Sequence, residues 1–106
     1  MIKNLALYRL TLKELCNKHD LTRVEVEALC WMTNSPYFSM KHVAEMVGIS
    51  VHTSAKVMKK LYEKGYIAIL KERSKVADRL CRTTGKAKSL MSEFSVNLKY
   101  KNKTYL

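Results

Sequence analysis

Apolar residues recur every three or four positions along most of the chain, and glycines, one proline and polar clusters cut that rhythm into segments. Residues 2 to 18 put Leu5, Tyr8, Leu12 and Leu15 on one helical face, and Ile2, Leu7 and Leu10 widen the apolar surface beyond a single stripe. So broad a surface has two readings of equal weight: a helix packed on two sides within the monomer, or one shared with a second copy. His19 and Asp20 break the pattern. Thr22 and Glu25 then have the spacing of a capping box, which opens a helix to about Met32 that should bury Val24, Ala28, Leu29 and Trp31 or Met32. A large ring at helical spacing, such as Trp31, is expected in the core. Thr33 to Pro36 makes the next turn, and Tyr37 with Phe38 suits a very short strand.

Ser39 to Gly65 is the stretch that organises the rest. Met40, Val43, Ala44 and Val47 fall on one face of a helix that Ser39 can cap, and Gly48 ends it with Ile49 folding back onto it. Ser50 caps a second helix in which Ser54, Val57, Met58 and Leu61 share one face. His52, Lys56, Lys59 and Glu63 lie opposite, flanked by Thr53 and Lys60, and Gly65 stops the helix. Ala44, then Gly48, Ile49 and Ser50, has the spacing of a helix-turn-helix: a small residue where two helices cross, a glycine corner, an apolar plug and a cap. An ordinary helical hairpin would share part of this pattern. The basic polar face and the strand-like segment after Gly65 favour the DNA-binding form.

Tyr66 to Leu70 is rich in β-branched and aromatic residues, Lys71 to Lys75 is polar, and Val76 to Thr83 is a weaker strand candidate. Together they predict a basic hairpin, residues 66–83, with Lys71, Arg73 and Lys75 at its tip. Thr83 or Thr84 can cap a last helix over 85–98 with Ala87, Leu90, Met91, Phe94 and Leu98 on one face, and residues 100–106 should fray. The expected architecture is mainly α with a small β-hairpin wing: one winged helix-turn-helix domain over 1–106, flanked by N- and C-terminal helices.

Charge sharpens this picture. The 106 residues hold 20 Lys and Arg against 9 acids, net +11, which favours a polyanionic partner. Residues 50–88 alone carry 11 basic and 3 acidic groups, so the excess lies on the second helix of the pair and on the hairpin segment after it. Cys16, Cys30 and Cys81 have neither disulfide nor zinc spacing, and His19, His42 and His52 do not suggest a metal site. With no phosphate loop, HExxH or nucleophile elbow, an enzyme is not expected, and no cofactor is implied. No apolar run is long enough to span a membrane, and cytoplasmic residence is the default.

In the order of its elements the chain resembles the MarR family of winged-helix transcription regulators over roughly residues 5 to 95. The matching stretches are LTRVEVEALCWM, MKHVAEMVGISVHTSAKVMKKLYEKGYI and TTGKAKSLM. The resemblance implies a homodimer with intertwined terminal helices, recognition helices in successive major grooves and wings in the flanking minor grooves. Many members respond to small phenolic ligands or oxidants. Two departures stand out. Ser74 and Lys75 match best where the family's wing usually has an Asp-Arg pair, and lysine, more strongly hydrated than arginine, reads a minor groove less well. The family also tends to a longer C-terminal region of two helices, so a small-molecule effector is only weakly expected. PadR-like regulators and phage or plasmid accessory proteins share the general pattern.

The leading expectation is therefore a sequence-specific, double-stranded-DNA-binding regulator, dimeric and of repressor type. His52, Thr53, Ala55 and Lys56 would meet base edges, and Ser50, Lys59, Lys60, Arg73, Lys75 and Arg79 would meet phosphates or the wing groove. Leu5, Leu12, Leu90 and Phe94, on the helices of 1–18 and 85–98, are the candidate dimer contacts. The alternative is a small protein-interaction or mobile-element accessory module with weak DNA contact. A membrane-surface role ranks below both, because the basic helix keeps a core-like apolar face.

Overall fold

In the computed structural model of the chain, residues 2–33, 38–71 and 80–105 are described. They form α1 (Ile2–His19), α2 (Arg23–Met32), α3 (Met40–Val47), α4 (Val51–Glu63), β1 (Ile67–Lys71), β2 (Leu80–Thr83) and α5 (Gly85–Tyr105). The strands pair antiparallel, Ile67 opposite Thr83 and Ile69 opposite Cys81, with an irregularity between Ile69 and Lys71. Phe38 adds a single bridge to Cys81, where the brief strand at Tyr37 and Phe38 was expected; Tyr37 itself lies outside the described residues.

One local device turns the chain three times. A residue with positive φ ends a helix, and the amide after it donates back into the last helical turn: Asp20 (φ 53) with Leu21 N to Cys16 O, Gly48 (φ 78) with Ile49 N to Ala44 O, and Gly65 (φ 82) with Tyr66 N to Leu61 O. Leu21 and Tyr66 are buried and Ile49 half-buried, so an apolar plug follows each corner. Glycine reaches this conformation without penalty, and aspartate tolerates it better than most side chains. The corner at Asp20 opens directly into the capping box expected at Thr22 and Glu25. Thr22 Oγ1 accepts from the Glu25 amide at 3.2 Å, and Glu25 Oε1 accepts from the Thr22 amide at 2.8 Å.

Every element supplies the core. Leu12 and Leu15 of α1, Val26, Leu29 and Met32 of α2, Val43 of α3, Val57, Met58 and Leu61 of α4, Ile67 and Cys81 of the hairpin, and Ala87, Leu90 and Phe94 of α5 form one buried cluster. Each large aliphatic side chain so buried contributes on the order of 1.5–3 kcal/mol. Exposed ion pairs such as Lys18 with Glu93 contribute at most about 1 kcal/mol each, so apolar packing decides how the elements sit.

Three expectations need correction. Trp31 is 46 % exposed, because the buried face of α2 runs through Glu25, Ala28, Leu29 and Met32; the indole lies off that face, lining an open cleft with Tyr8, Glu27 and Met46. Leu12, Leu90 and Phe94, expected at a dimer contact, are buried in the chain's own core, with Phe94 edge-on to Tyr8 at 5.4 Å. The apolar surface left on the terminal helices is instead Leu5, Leu10, Val96, Tyr100 and Tyr105. The last helix, expected over 85–98, runs on to Tyr105 through the segment expected to fray, with Lys101 Nζ on Glu14 Oε2 (2.7 Å) and the Thr104 hydroxyl on the Tyr100 carbonyl (3.0 Å). At 21 residues the helix is roughly 30 Å long, in a molecule whose longest extent is 50 Å.

Leu61→Ala should lower stability by about 2–5 kcal/mol, since the fully buried leucine leaves a cavity behind; thermal unfolding measures it, and a mutant melting with the wild type would contradict the packing of α4. Glu93 joins α5 to the end of α1 through His19 Nε2 (2.9 Å) and Lys18 Nζ (3.0 Å), and these hydrogen bonds hold its carboxyl below the ordinary value. A lowered folded-state pKa stabilises above the unfolded carboxylate range, and that gain is lost as pH falls through the folded value. Glu93→Gln should therefore melt below the wild type at neutral pH. The difference should close on acidification past the ordinary carboxylate range, and a difference that persists there would show that it is not electrostatic.

Candidate nucleic-acid interface

Ser39 caps α3 by accepting from the His42 amide at 3.2 Å, and Ser50 caps α4 by accepting from the Thr53 amide at 3.1 Å. Between the caps, Gly48 lets α3 stop and α4 start within three residues. An ideal Cβ at Gly48 would meet no atom within 4 Å, so backbone conformation and not crowding calls for glycine there. Ala44, 5 % exposed, lies on the buried face of α3. The fully buried Ser54 hydroxyl donates to the Met40 carbonyl at 2.8 Å, which ties the first turn of α4 to the start of α3.

With Ser54, Val57, Met58 and Leu61 buried, the opposite side of α4 is turned outward. His52, Thr53, Lys56, Lys59 and Lys60 are all exposed there, with Ser50 exposed at the cap. Ala55 is half-buried at the edge of that face. Ser50 Oγ accepts from the Thr53 amide and donates its proton to Thr53 Oγ1 at 2.9 Å, so the Thr53 hydroxyl keeps its own proton to give outward. Three ammonium groups, an imidazole and a hydroxyl donor on one exposed helix face can hold anionic oxygens and meet hydrogen-bond acceptors.

On the hairpin, Cys81 and Thr83 turn inward and Arg82 outward. Arg82, opposite Ala68, was missing from the expected site, although strand alternation between Cys81 and Thr83 turns it outward. Arg73, Lys75 and Arg79, together with the pair Ser74 and Lys75, lie outside the described residues. Two lysines counted in the basic stretch are engaged within the subunit. Lys64 Nζ bonds the Asp20 carbonyl (2.8 Å) and Glu25 (3.2 and 3.3 Å), while Lys86 Nζ bonds the Lys64 carbonyl (2.6 Å) and stands 4.5 Å over the Tyr66 ring. Burial pushes the Cys16 and Cys30 thiols up, which keeps them in the weakly nucleophilic protonated form. Among the described residues no three His, Cys, Asp or Glu side chains converge as a metal site, and no helix is long and apolar enough to cross a membrane.

No protein-family profile and no curated protein sequence matches the chain. Solved structures do. The multiple antibiotic-resistance repressor MarR of Listeria monocytogenes superposes with a TM-score of 0.81 at 15 % identity, over 97 % of this chain and 70 % of that one. MepR of Staphylococcus aureus, solved as a complex with DNA, gives 0.80 at 12 % identity over 91 % and 79 %. MarR of the same organism, in complex with salicylate and kanamycin, gives 0.80 at 16 % over 94 % and 69 %. The fold is a MarR-like winged helix. In that fold α3 and α4 are the helix-turn-helix, α4 its second helix, β1 and β2 the wing, and α1 and α5 the flanking helices.

The Ser54 bond sets the crossing of the helix-turn-helix. Ser54→Ala removes this bond while the Met40 carbonyl keeps its place in α3, and it should cost about 0.5–1.5 kcal/mol, read as a lowered melting temperature. An unchanged melt would show that the two helices are aligned by packing alone.

Proposed function

We propose that the protein is a DNA-binding transcription regulator that acts as a homodimer of repressor type and lays α4 in the major groove. The observation that carries this reading is the exposed face of α4, where His52, Thr53, Lys56, Lys59 and Lys60 stand together opposite a fully packed face. A helix about 10–12 Å across fits a major groove of about 12 Å. In this reading His52, Thr53, Ala55 and Lys56 meet base edges from the first turns, with Thr53 acting as a donor toward purine N7, O6 or phosphate oxygens. Ser50, Lys59 and Lys60 meet phosphates. Arg82 of the hairpin is added to the wing contacts expected from Arg73, Lys75 and Arg79. The DNA-bound state of MepR, a protein of the same fold, supports this placement. For the dimer, Leu5, Leu10, Val96 and Tyr100 offer apolar surface on both flanking helices.

Selection of bound duplexes from a random pool, followed by mass measurement in solution with and without the enriched duplex, tests the reading. The expected result is a symmetric site with half-sites about one helical turn apart, roughly 10 base pairs, bound by two copies. Thr53→Ala and Lys56→Ala should change the ranking among sites. Lys60→Ala and Arg82→Ala should weaken all sites alike and lower the salt slope by about 0.9 each. A pool without enrichment would favour the protein-interaction module, and a monomer that binds at full affinity would remove the dimer.

A further inference from the structure

Lys64 comes after Lys56, Lys59 and Lys60 and adds to the positive charge of residues 50–88. Its geometry points the other way. It caps α4, and its ammonium is turned back onto the Asp20 carbonyl at the left-handed corner after α1 and onto the Glu25 carboxylate at the start of α2. Glu25 is 3 % exposed, and the same carboxylate closes the α2 capping box through the Thr22 amide. The Lys86 ammonium comes from α5 onto the Lys64 carbonyl. Close by, Lys18 and His19, in the last turn of α1, hold Glu93 of α5. The C-terminal end of α4 is thus joined by charged hydrogen bonds to α1, α2 and α5 at one point, while the Ser54 bond joins its N-terminal end to α3.

We propose that the Lys64–Glu25 pair is a positioning device that sets the tilt of the recognition helix relative to α1, α2 and α5. The proposal rests on the DNA-binding function proposed for α4. Apolar packing holds a helix against its neighbours but is non-directional, and a buried ion pair adds little net stability over an apolar replacement. What the pair adds is direction, because hydrogen bonds weaken steeply once misaligned. Base-edge contacts from His52, Thr53 and Lys56 have the same requirement, so tilt of α4 reaches them directly. Neither Lys64 nor Glu25 touches DNA in this arrangement.

Electrostatics and positioning predict opposite signs for one substitution. Glu25→Gln keeps an oxygen for the Thr22 amide and removes one acid, raising the net charge above +11; charge alone would tighten binding to DNA. Positioning requires the reverse: affinity for the selected duplex should fall about tenfold, the equivalent of one charge-assisted hydrogen bond, with the salt slope unchanged. Lys64→Met should show the same loss and the same unchanged slope, whereas Lys60→Met should lower the slope by about 0.9. Lys64→Arg, which keeps the charge and the donors, should recover most of the affinity. The measurements are competition binding across a salt series and a melting curve for each variant. Glu25→Gln binding as tightly as the wild type or tighter, or a Lys64→Met slope that falls like that of Lys60→Met, would overturn the proposal. So would loss of the melting transition in both Glu25→Gln and Lys64→Met, since the pair would then hold the subunit together and not aim a helix. A wild type that enriches no duplex refutes the DNA-binding function itself, a result separate from any of these.

Discussion

The burial of one face of α4 is the constraint on which the other features depend. Val57, Met58 and Leu61 reach the common core from the same side of a 13-residue helix, and Ser54 continues that side to its first turn. A helix with one side committed to the core has its opposite side fixed as well. His52, Lys56, Lys59 and Glu63 are therefore exposed because of where Leu61 is, not because of their own interactions. The basic face is a consequence of apolar packing, and its charges can change without cost to the fold that presents them.

Packing leaves the ends of such a helix less well determined than its middle, and polar contacts act there. The first turn is tied by Ser54 to the Met40 carbonyl; the last residue is tied by Lys64 to Asp20 and Glu25. The left-handed corners shorten the connections so that these contacts become possible. Asp20 has the third such corner without being glycine, and its carbonyl is the one that receives Lys64. A corner that bears the backbone cost of positive φ also carries the joint between two parts of the domain.

The flanking helices divide their apolar residues between two tasks. Leu12, Leu15, Leu90 and Phe94 complete the subunit core, while Leu5, Leu10, Val96, Tyr100 and Tyr105 remain outside it. On α5 the uncovered apolar residues are Val96, Tyr100 and Tyr105, all in its second half. Lys101 on Glu14 joins that stretch of α5 to α1.

Much of this fold is written locally and could be read from the chain. Periodicity placed the helices; Thr22 with Glu25, Ser39 and Ser50 marked their starts, and Gly48 and Gly65 two of their ends, because caps and corners depend on residues three or four apart. The phase of α4 likewise named the buried and exposed sides. What could not be read depends on partners far away in sequence. Trp31 looked like core, but only the placement of α1 and α3 decides that Met32 faces inward and the indole an open cleft. Periodicity says that Leu12, Leu90 and Phe94 are buried without saying by what, and their cover turned out to be the subunit itself. Residues 100–105 carry too little apolar signal to mark a helix, yet α5 continues through them, and Lys101 meets Glu14, 87 residues earlier. Lys64 and Lys86 count as positive charge in any sequence, whereas their ammonium groups are directed by a carboxylate, backbone carbonyls and a ring that only the folded chain brings near. The sequence by itself determined the elements and the chemistry of the α4 face; tertiary structure decided which charges and apolar groups were left over to use, since that depends on contacts between residues the chain holds far apart.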